Sequence, residues 1–496
     1  MKKIYFPYIP LPGGTALFLF FALAFTDLRA QSGPELVHGH LTIGGVATSS
    51  DHVPFWFQAN QYGSIPLPGT SASAIGSIHK DYDTLSGRLV DWGAGVEGRE
   101  DLGSGSRFTL IEGYGKLRVG IFELKAGRSK EIMGLVDTSL SSGAFAISGN
   151  ALGIPKVQLS IPDYYALPFW GQLFAIKGNY AHGWLGNLPI QYGHLADHAT
   201  TWFHQKSLYL RFGRPDWSWR LYGGFNHQVF WGNERSVFGK GFTLSTPAAY
   251  WHVVSGTTWN YSKVGNHLGS IDFGAEVDLE TVRISFYRLN FYDEGALYHL
   301  ANIKDGLNGL SIQNLQESNG GFHWNKFLFE FLYTVNQAGE PSSRYTNSGD
   351  ENYYNNYEYS EGWSYKGRGL GTPFISTRES TRQGLPNDTS DYFNNNRVAA
   401  FHVGLQASLG TWDFTGKFSL SLNYGTYGTS TFGHSTGLLR VPPHFGIFQE
   451  LGQFSSFLQV RKEVRPGWVF GCIAALDKGD LLNNSNGLIL SLSRTF

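Results

Sequence analysis

The sequence predicts an all-β protein: a closed antiparallel transmembrane β-barrel of roughly 16–20 strands, 18 favoured, with long extracellular loops and a lumen plug. Three observations predict it. The chain opens on an export leader, its body alternates apolar and polar residues two by two, and its composition is rich in aromatics and poor in charge.

The leader comes first. Lys2 and Lys3 give a positive start, residues 16–25 form a short apolar run, and Leu28-Arg29-Ala30 places a small residue before Gln31. Positive region, apolar region and small-residue cleavage site, in that order, are the pattern of a secretory signal. The run is shorter than the about 20 residues a spanning helix takes. Residues 1–30 are therefore expected to be a signal peptide, and 31–496 the barrel domain.

Composition favours a surface in contact with lipid. Aromatic residues make up 16% of the chain and charged residues 16%, with 63 Gly, 26 Tyr, 37 Phe and 14 Trp. Soluble domains carry about 25% charge. Barrels belt themselves with Tyr and Trp at the two interfaces. The formal net charge is −1, and loss of Lys2, Lys3, Asp27 and Arg29 with the leader makes it −3. That balance excludes a nucleic-acid footprint, which needs a basic excess. The single Cys472 excludes an intrachain disulfide and a cysteine-rich metal site.

The alternation is clearest near the C-terminus. In residues 414–424 the even positions are apolar or aromatic apart from Gly416, and the odd positions are polar. Eleven residues of period two match a tilted membrane strand, with one face on lipid and the other on a wet lumen. The same pattern runs through Phe401 to Leu409, Val282 to Tyr287, Leu208 to Phe212 and Trp217 to Tyr222. In Phe327, Phe329, Phe331 and Tyr333 one face is aromatic, while Leu328 and Leu332 blur the other. The chain ends on an alternating strand whose last residue is Phe496. Closure of the sheet is required, because an open edge would leave backbone groups unpaired in hydrocarbon.

Two stretches break the pattern. Residues 337–397, with Asn352-Tyr353-Tyr354-Asn355-Asn356-Tyr357 and Asn394-Asn395-Asn396, are expected to form a long, solvated extracellular loop holding a small hairpin. Residues 129–170, rich in small residues and prolines, are expected to be irregular and to fold into or over the lumen.

Several strings resemble the capsule assembly protein Wzi family in its Bacteroidetes form. They are Pro54 to Gly63; Gly127-Arg128 with Glu131 and Gly134; Ser141 to Asn150 continued by Ile154-Pro155-Lys156 and Ile161-Pro162; His204 to Tyr209; and Gly223 to His227 with Trp231-Gly232. Order and length match over essentially the whole mature chain. The resemblance implies a monomeric outer-membrane barrel of the bacterial cell that binds capsular or other surface polysaccharide outside and helps assemble or anchor the capsule. It implies no enzyme. Proteobacterial members carry a small helical bundle on the periplasmic side, and this sequence shows no clear amphipathic helix of that kind.

Sugar binding asks for aromatic faces to stack on pyranose rings and for Asn, Gln, Asp or Arg around the rim. Candidates from the shared strings are Trp56, Gln58, Asn60, Arg128, Glu131, Asn150, His227 and Trp231. The competing reading is that these residues brace a plug. Catalytic motifs carry less. Gly433-His434-Ser435-Thr436-Gly437 matches G-x-S-x-G but lies between strand-like segments, not on a strand-to-helix elbow. His194 and His198 lack the Glu of a zinc helix. His38 and His40 are expected to line a strand. Asp350, Glu351, Glu358 and Glu361 are expected to be solvated. The reading calls for no cofactor and no metal. The alternative function is a porin that conducts small solutes or sugars through an open lumen.

Overall fold

The computed structural model describes residues 36–496 apart from 104, 192–194, 261, 294, 339–350 and 431–444. The expected signal peptide, the Ser435 motif, His194 and Asp350 lie outside the described residues.

Eighteen strands close into one antiparallel barrel. In chain order they are β1 (Val37–Thr48), β2 (Ser71–Lys80), β3 (Val90–Gly103), β4 (Arg107–Val119), β5 (Phe122–Arg128), β6 (Lys156–Ala166), β7 (Phe174–Pro189), β8 (His198–Phe212) and β9 (Trp219–Trp231). The second half comprises β10 (Asn266–Asp278), β11 (Val282–Tyr292), β12 (Gly306–Asn314), β13 (Phe322–Tyr333), β14 (Val398–Leu409), β15 (Trp412–Asn423), β16 (Leu451–Arg465), β17 (Trp468–Gly479) and β18 (Ser485–Thr495). Each strand pairs with its neighbours in sequence, and β18 returns to β1 with Thr495 opposite His40. No edge is left open, as a sheet in hydrocarbon requires. His38 and His40 lie on β1, as expected.

The two ends differ. At one end the strands meet in tight turns such as 120–121, 410–411 and 466–467, and there the barrel begins and finishes. The longest connections lie at the other end: 49–70, 129–155, 232–265, 334–397 and 424–450. Short turns face the periplasm and long loops the exterior in barrels of this kind.

The alternation fixes the faces. On β15, Phe418, Leu420 and Leu422 are exposed to the outside, while Ser419, Ser421 and Asn423 are buried inside. A one-residue slip would turn every Phe and Leu to the lumen, so the lipid face specifies the register. Strand β6 corrects the expectation for 129–170. Irregular chain stops at Pro155, and Val157 and Leu159 then face out while Lys156, Gln158 and Ser160 face in. Pro162 is tolerated because the β6–β7 register shifts between Ile161 and Tyr165, where no ladder N–H is needed.

The lumen is filled from the outer end. Segment 129–155 descends inside and meets an inner wall that is unusually apolar: Leu268, Leu289, Leu307, Leu328 and Leu332 are all buried against it in one core. Leu140 sits over Gly404 of β14, where an added Cβ would lie 2.7 Å from that of Leu140. His402 Nε2–H donates to the Leu140 carbonyl at 2.8 Å, which leaves Nδ1 to accept from Ser419 Oγ at 2.8 Å. Glu330 of β13 accepts from Ser141 Oγ at 2.7 Å, from the Ser142 N–H at 2.6 Å and from the Tyr287 hydroxyl. Non-helical backbone is thus satisfied by the barrel wall.

Residues 351–397 of the connection between β13 and β14 cap this plug. Trp363 stacks on the inward Phe230 of β9 at 4.3 Å, and its Nε1–H donates to the Ala146 carbonyl at 2.9 Å. Tyr354 donates to the Phe145 carbonyl, and the approach leaves no room for a Cβ at Gly371. The expected hairpin is present, Ser364–Tyr365 against Arg368–Gly369. The expected solvation is not. Tyr353, Tyr354, Glu351 and Glu358 are buried, because the connection lies on the plug rather than in water.

Candidate functional site

A cavity of about 440 Å³ opens at the outer mouth. Its wall combines four connections: Gln191 after β7, Asp293 after β11, Asn352, Asn355–Tyr357, Asp388, Ser390 and Asp391 between β13 and β14, and Tyr427 after β15. The volume lies in the range of pockets that take small ligands. Amide, carboxylate and phenol groups surround it, which suits a hydroxyl-rich ligand more than an apolar one.

Local hydrogen bonds hold this rim. Asn352 Nδ2 donates to Asp391 Oδ1 at 3.0 Å, and Asn352 Oδ1 accepts from Asn396 Nδ2 at 2.6 Å. Asn356 Oδ1 accepts the backbone N–H groups of Glu358 and Tyr359, and its carbonyl accepts from Gln191 Nε2 at 2.6 Å. Asp388 Oδ1 accepts from the Ser390 N–H and Oγ. Tyr357 is 55% exposed, so part of its ring surface is accessible to a sugar face. Below, Asp305 takes the N–H groups of Asn336 and Gln337 and the Tyr353 hydroxyl, which ties the cap to the β11–β12 connection.

Burial shifts the acids of the cap. It pushes Asp391 up to about 6, with Asp388 adding to the effect, while Thr426, Asn352 and Arg378 oppose it. It pushes Asp305 up to about 6 against its hydrogen bonds, and Glu358 to about 8, with Glu234 nearby adding to the effect.

The eight residues singled out in the sequence fall in three places. Gln58 and Asn150 line a second, smaller cavity near Arg368 and Ser376. At about 30 Å³ it holds a water or two, not a sugar ring. Gln58 accepts from Arg368, and Asn150 Nδ2 donates to the Gly369 carbonyl at 3.0 Å. Trp56, Asn60, Arg128 and Glu131 lie around the plug. Trp56 is buried against Phe374 and His402. The Asn60 N–H donates to Asn150 Oδ1 at 3.3 Å, Arg128 donates to the Leu110 carbonyl and the Tyr365 hydroxyl, and Glu131 pairs with Lys156.

His227 and Trp231 lie elsewhere altogether. They share the outward face of β9 with the lipid-facing Leu221 and Phe225. The connection 232–265 folds back over them on the outside of the barrel. Its helix, Thr246–Ser255, is capped by Ser245 and ends at Gly256, which takes the left-handed conformation with φ 68°. Tyr250 of this helix packs on Trp231 at 5.0 Å and on His204 at 5.7 Å. His267 Nε2–H donates to the Val264 carbonyl at 2.9 Å, so its Nδ1 accepts from His227 Nε2 at 2.9 Å.

Among the described residues, His79, Glu97 and Glu112 bring a ligand set close enough for a metal ion. Lys130 already occupies it: Nζ bonds both Glu97 oxygens at 2.7 Å, and its N–H donates to Glu112 at 2.7 Å.

Fold, polarity and filled lumen define a class: an outer-membrane β-barrel closed by its own outer connections. A model of the capsule assembly protein Wzi family matches residues 57–403, and the chain belongs to that family. One similar solved structure is Wzi of Escherichia coli, described as an outer-membrane protein involved in group 1 capsule assembly and a carbohydrate-binding β-barrel. It is 14% identical, with 91% of this chain and 83% of that one covered and a TM-score of 0.52. OccAB2 of Acinetobacter baumannii is 11% identical over 94% of this chain and 99% of that one, at 0.47. OprD of Pseudomonas aeruginosa is 11% identical over 94% and 96%, at 0.44. Among curated proteins, none matches the chain.

Proposed function

We propose that this barrel binds capsular or other surface polysaccharide at its outer mouth, without catalysis, and so helps assemble or anchor the capsule. The observation that carries the reading is the 440 Å³ polar cavity set above a lumen filled by 129–155. A glycan chain meets amides, carboxylates and Tyr357 there, above the plug. The ligand contacts are assigned to Gln191, Asn356, Tyr357, Asp388 and Asp391. Trp56, Asn60, Arg128, Glu131, Asn150 and Gln58 are assigned to bracing the plug and cap, and His227 and Trp231 to holding the outer cover. The protein acts as a monomer, exported by a leader cleaved before Gln31.

Purified protein should retain capsule glycan from its own cell over an unrelated neutral polymer such as dextran. Tyr357→Ala together with Asn356→Ala should weaken that retention while heat-dependent gel mobility stays unchanged. Equal retention of both polymers, or of neither, contradicts the proposal.

A further inference from the structure

We infer that the outer cover, 232–265, seats anionic lipid head groups of the outer leaflet against one flank of the barrel.

Depth comes first. At the periplasmic end Phe212 packs on Trp217 and Trp219. At the outer end the register sets Trp202 directly opposite both Trp184 and Trp231. Trp202 lies ten residues from Phe212 on β8, which is about 25 Å along the barrel axis for a tilted strand rising about 3.3 Å per residue. That matches the height of the apolar band, and Leu208 and Leu210 between them are exposed outward. The two aromatic levels are therefore the two membrane interfaces.

The cover lies at the upper level. Tyr250 of the helix Thr246–Ser255 packs on Trp231, and its hydroxyl is 2.6 Å from that of the outward-facing Tyr180. Ala249 and Val253 of the helix are buried, while Trp251 is 66% exposed. A short helix with its apolar side on the barrel and a Trp left uncovered at head-group depth is an interfacial element.

Charge says which head groups. Residues 235–265 contain Arg235, Lys240 and Lys263 and no Asp or Glu. Arg235 and Lys240 are exposed. The acid at the boundary, Glu234, is buried, and both its oxygens accept from the Gly232 N–H. The neighbouring connection 190–197 carries one acid, Asp197, so this sector keeps a cationic excess. The outer mouth is the opposite: Asp293, Asp388 and Asp391 line its cavity, and among the described lining residues there is no Lys, Arg or His. Cations thus stand where the barrel meets head groups. Basic residues beside an interfacial Trp attract anionic lipid over zwitterionic lipid.

The test places the full barrel in vesicles of equal parts phosphatidylcholine and phosphatidylglycerol. In one set the phosphatidylglycerol carries bromine on its upper acyl chain, in the other the phosphatidylcholine does. The part of the tryptophan fluorescence that Trp251→Phe removes should be quenched roughly threefold more by the brominated phosphatidylglycerol. Arg235→Gln together with Lys240→Gln should bring the two lipids close to equal, and so should salt at about 0.5 M. Heat-dependent gel mobility reports that each variant is folded, and Lys240→Glu alone, at an exposed position, should lower the preference if the double variant is not. Equal quenching by both lipids in the unmodified protein overturns the inference, as does a preference that survives the substitutions. Quenching of Trp251 by neither lipid also overturns it, since the face would then be covered by protein.

Discussion

Two connections leave the same end of the barrel and enter opposite surroundings. Segment 129–155 goes inward and is met by leucines that the alternation would have assigned to a wet lumen. Segment 232–265 goes outward and covers His204, His227 and Trp231, which the alternation would have assigned to lipid. In each case the strand residues depart from the two-faced pattern where protein, and not water or lipid, is the neighbour. A Leu facing in marks a plug. A His facing out marks a cover, because a polar ring in hydrocarbon is costly unless something shields it.

The contrast breaks most sharply at Phe145. This ring stacks on the inward Phe291 at 4.1 Å with 10° between planes and is fully buried. Phe145→Ala should cost the plug about 3–5 kcal/mol. Protease cuts are expected within 129–155, with 232–265 still protected. Loss of protection in both would show that the two segments are one cooperative unit.

Val253→Ala is the converse and the smaller change. Val253 is buried with Val229, Trp231 and Ala249 in the outer cluster. About two methylenes of burial are lost, or about 1.5 kcal/mol. Cleavage should rise in the outer cover alone, with glycan retention untouched.

The smallest effect is that of pH. Glu358, Asp305 and Asp391 have folded-state pKa values raised to about 8, 6 and 6, so the folded cap holds protons that the unfolded chain releases near pH 4. Stability of the cap is therefore full below about pH 4 in these groups and falls as pH rises toward 8. Hydrogen exchange in 351–397, corrected for intrinsic rate, should be faster at pH 8 than at pH 5. The reverse order would contradict the burial of these acids.

The barrel was legible because lipid imposes a strict period. Ser419, Leu420, Ser421 and Leu422 could be assigned to their faces from the sequence. Strand β6 was hidden, since Pro155 and Pro162 masked the alternation of Val157, Gln158, Leu159 and Ser160. The plug left a signal in Leu328 and Leu332, which read as a blurred face and are in fact its floor. The cavity was not legible. The Asn and Tyr of 352–357 look the same in a solvated loop as around a pocket, and only the cap's fold onto Phe145 and Ala146 brings them to Asp388 and Asp391. His227 and Trp231 came forward from shared strings, which do not distinguish ligand contact from packing.

The central claim is that the chain itself fills its lumen, so that the barrel holds glycan rather than passing solutes. Single-channel recording of the purified protein in a planar bilayer tests this most directly. A closed baseline is expected for the unmodified chain, with steps appearing once Phe145→Ala loosens the plug. Large, stable conductance steps from the unmodified protein would contradict the account.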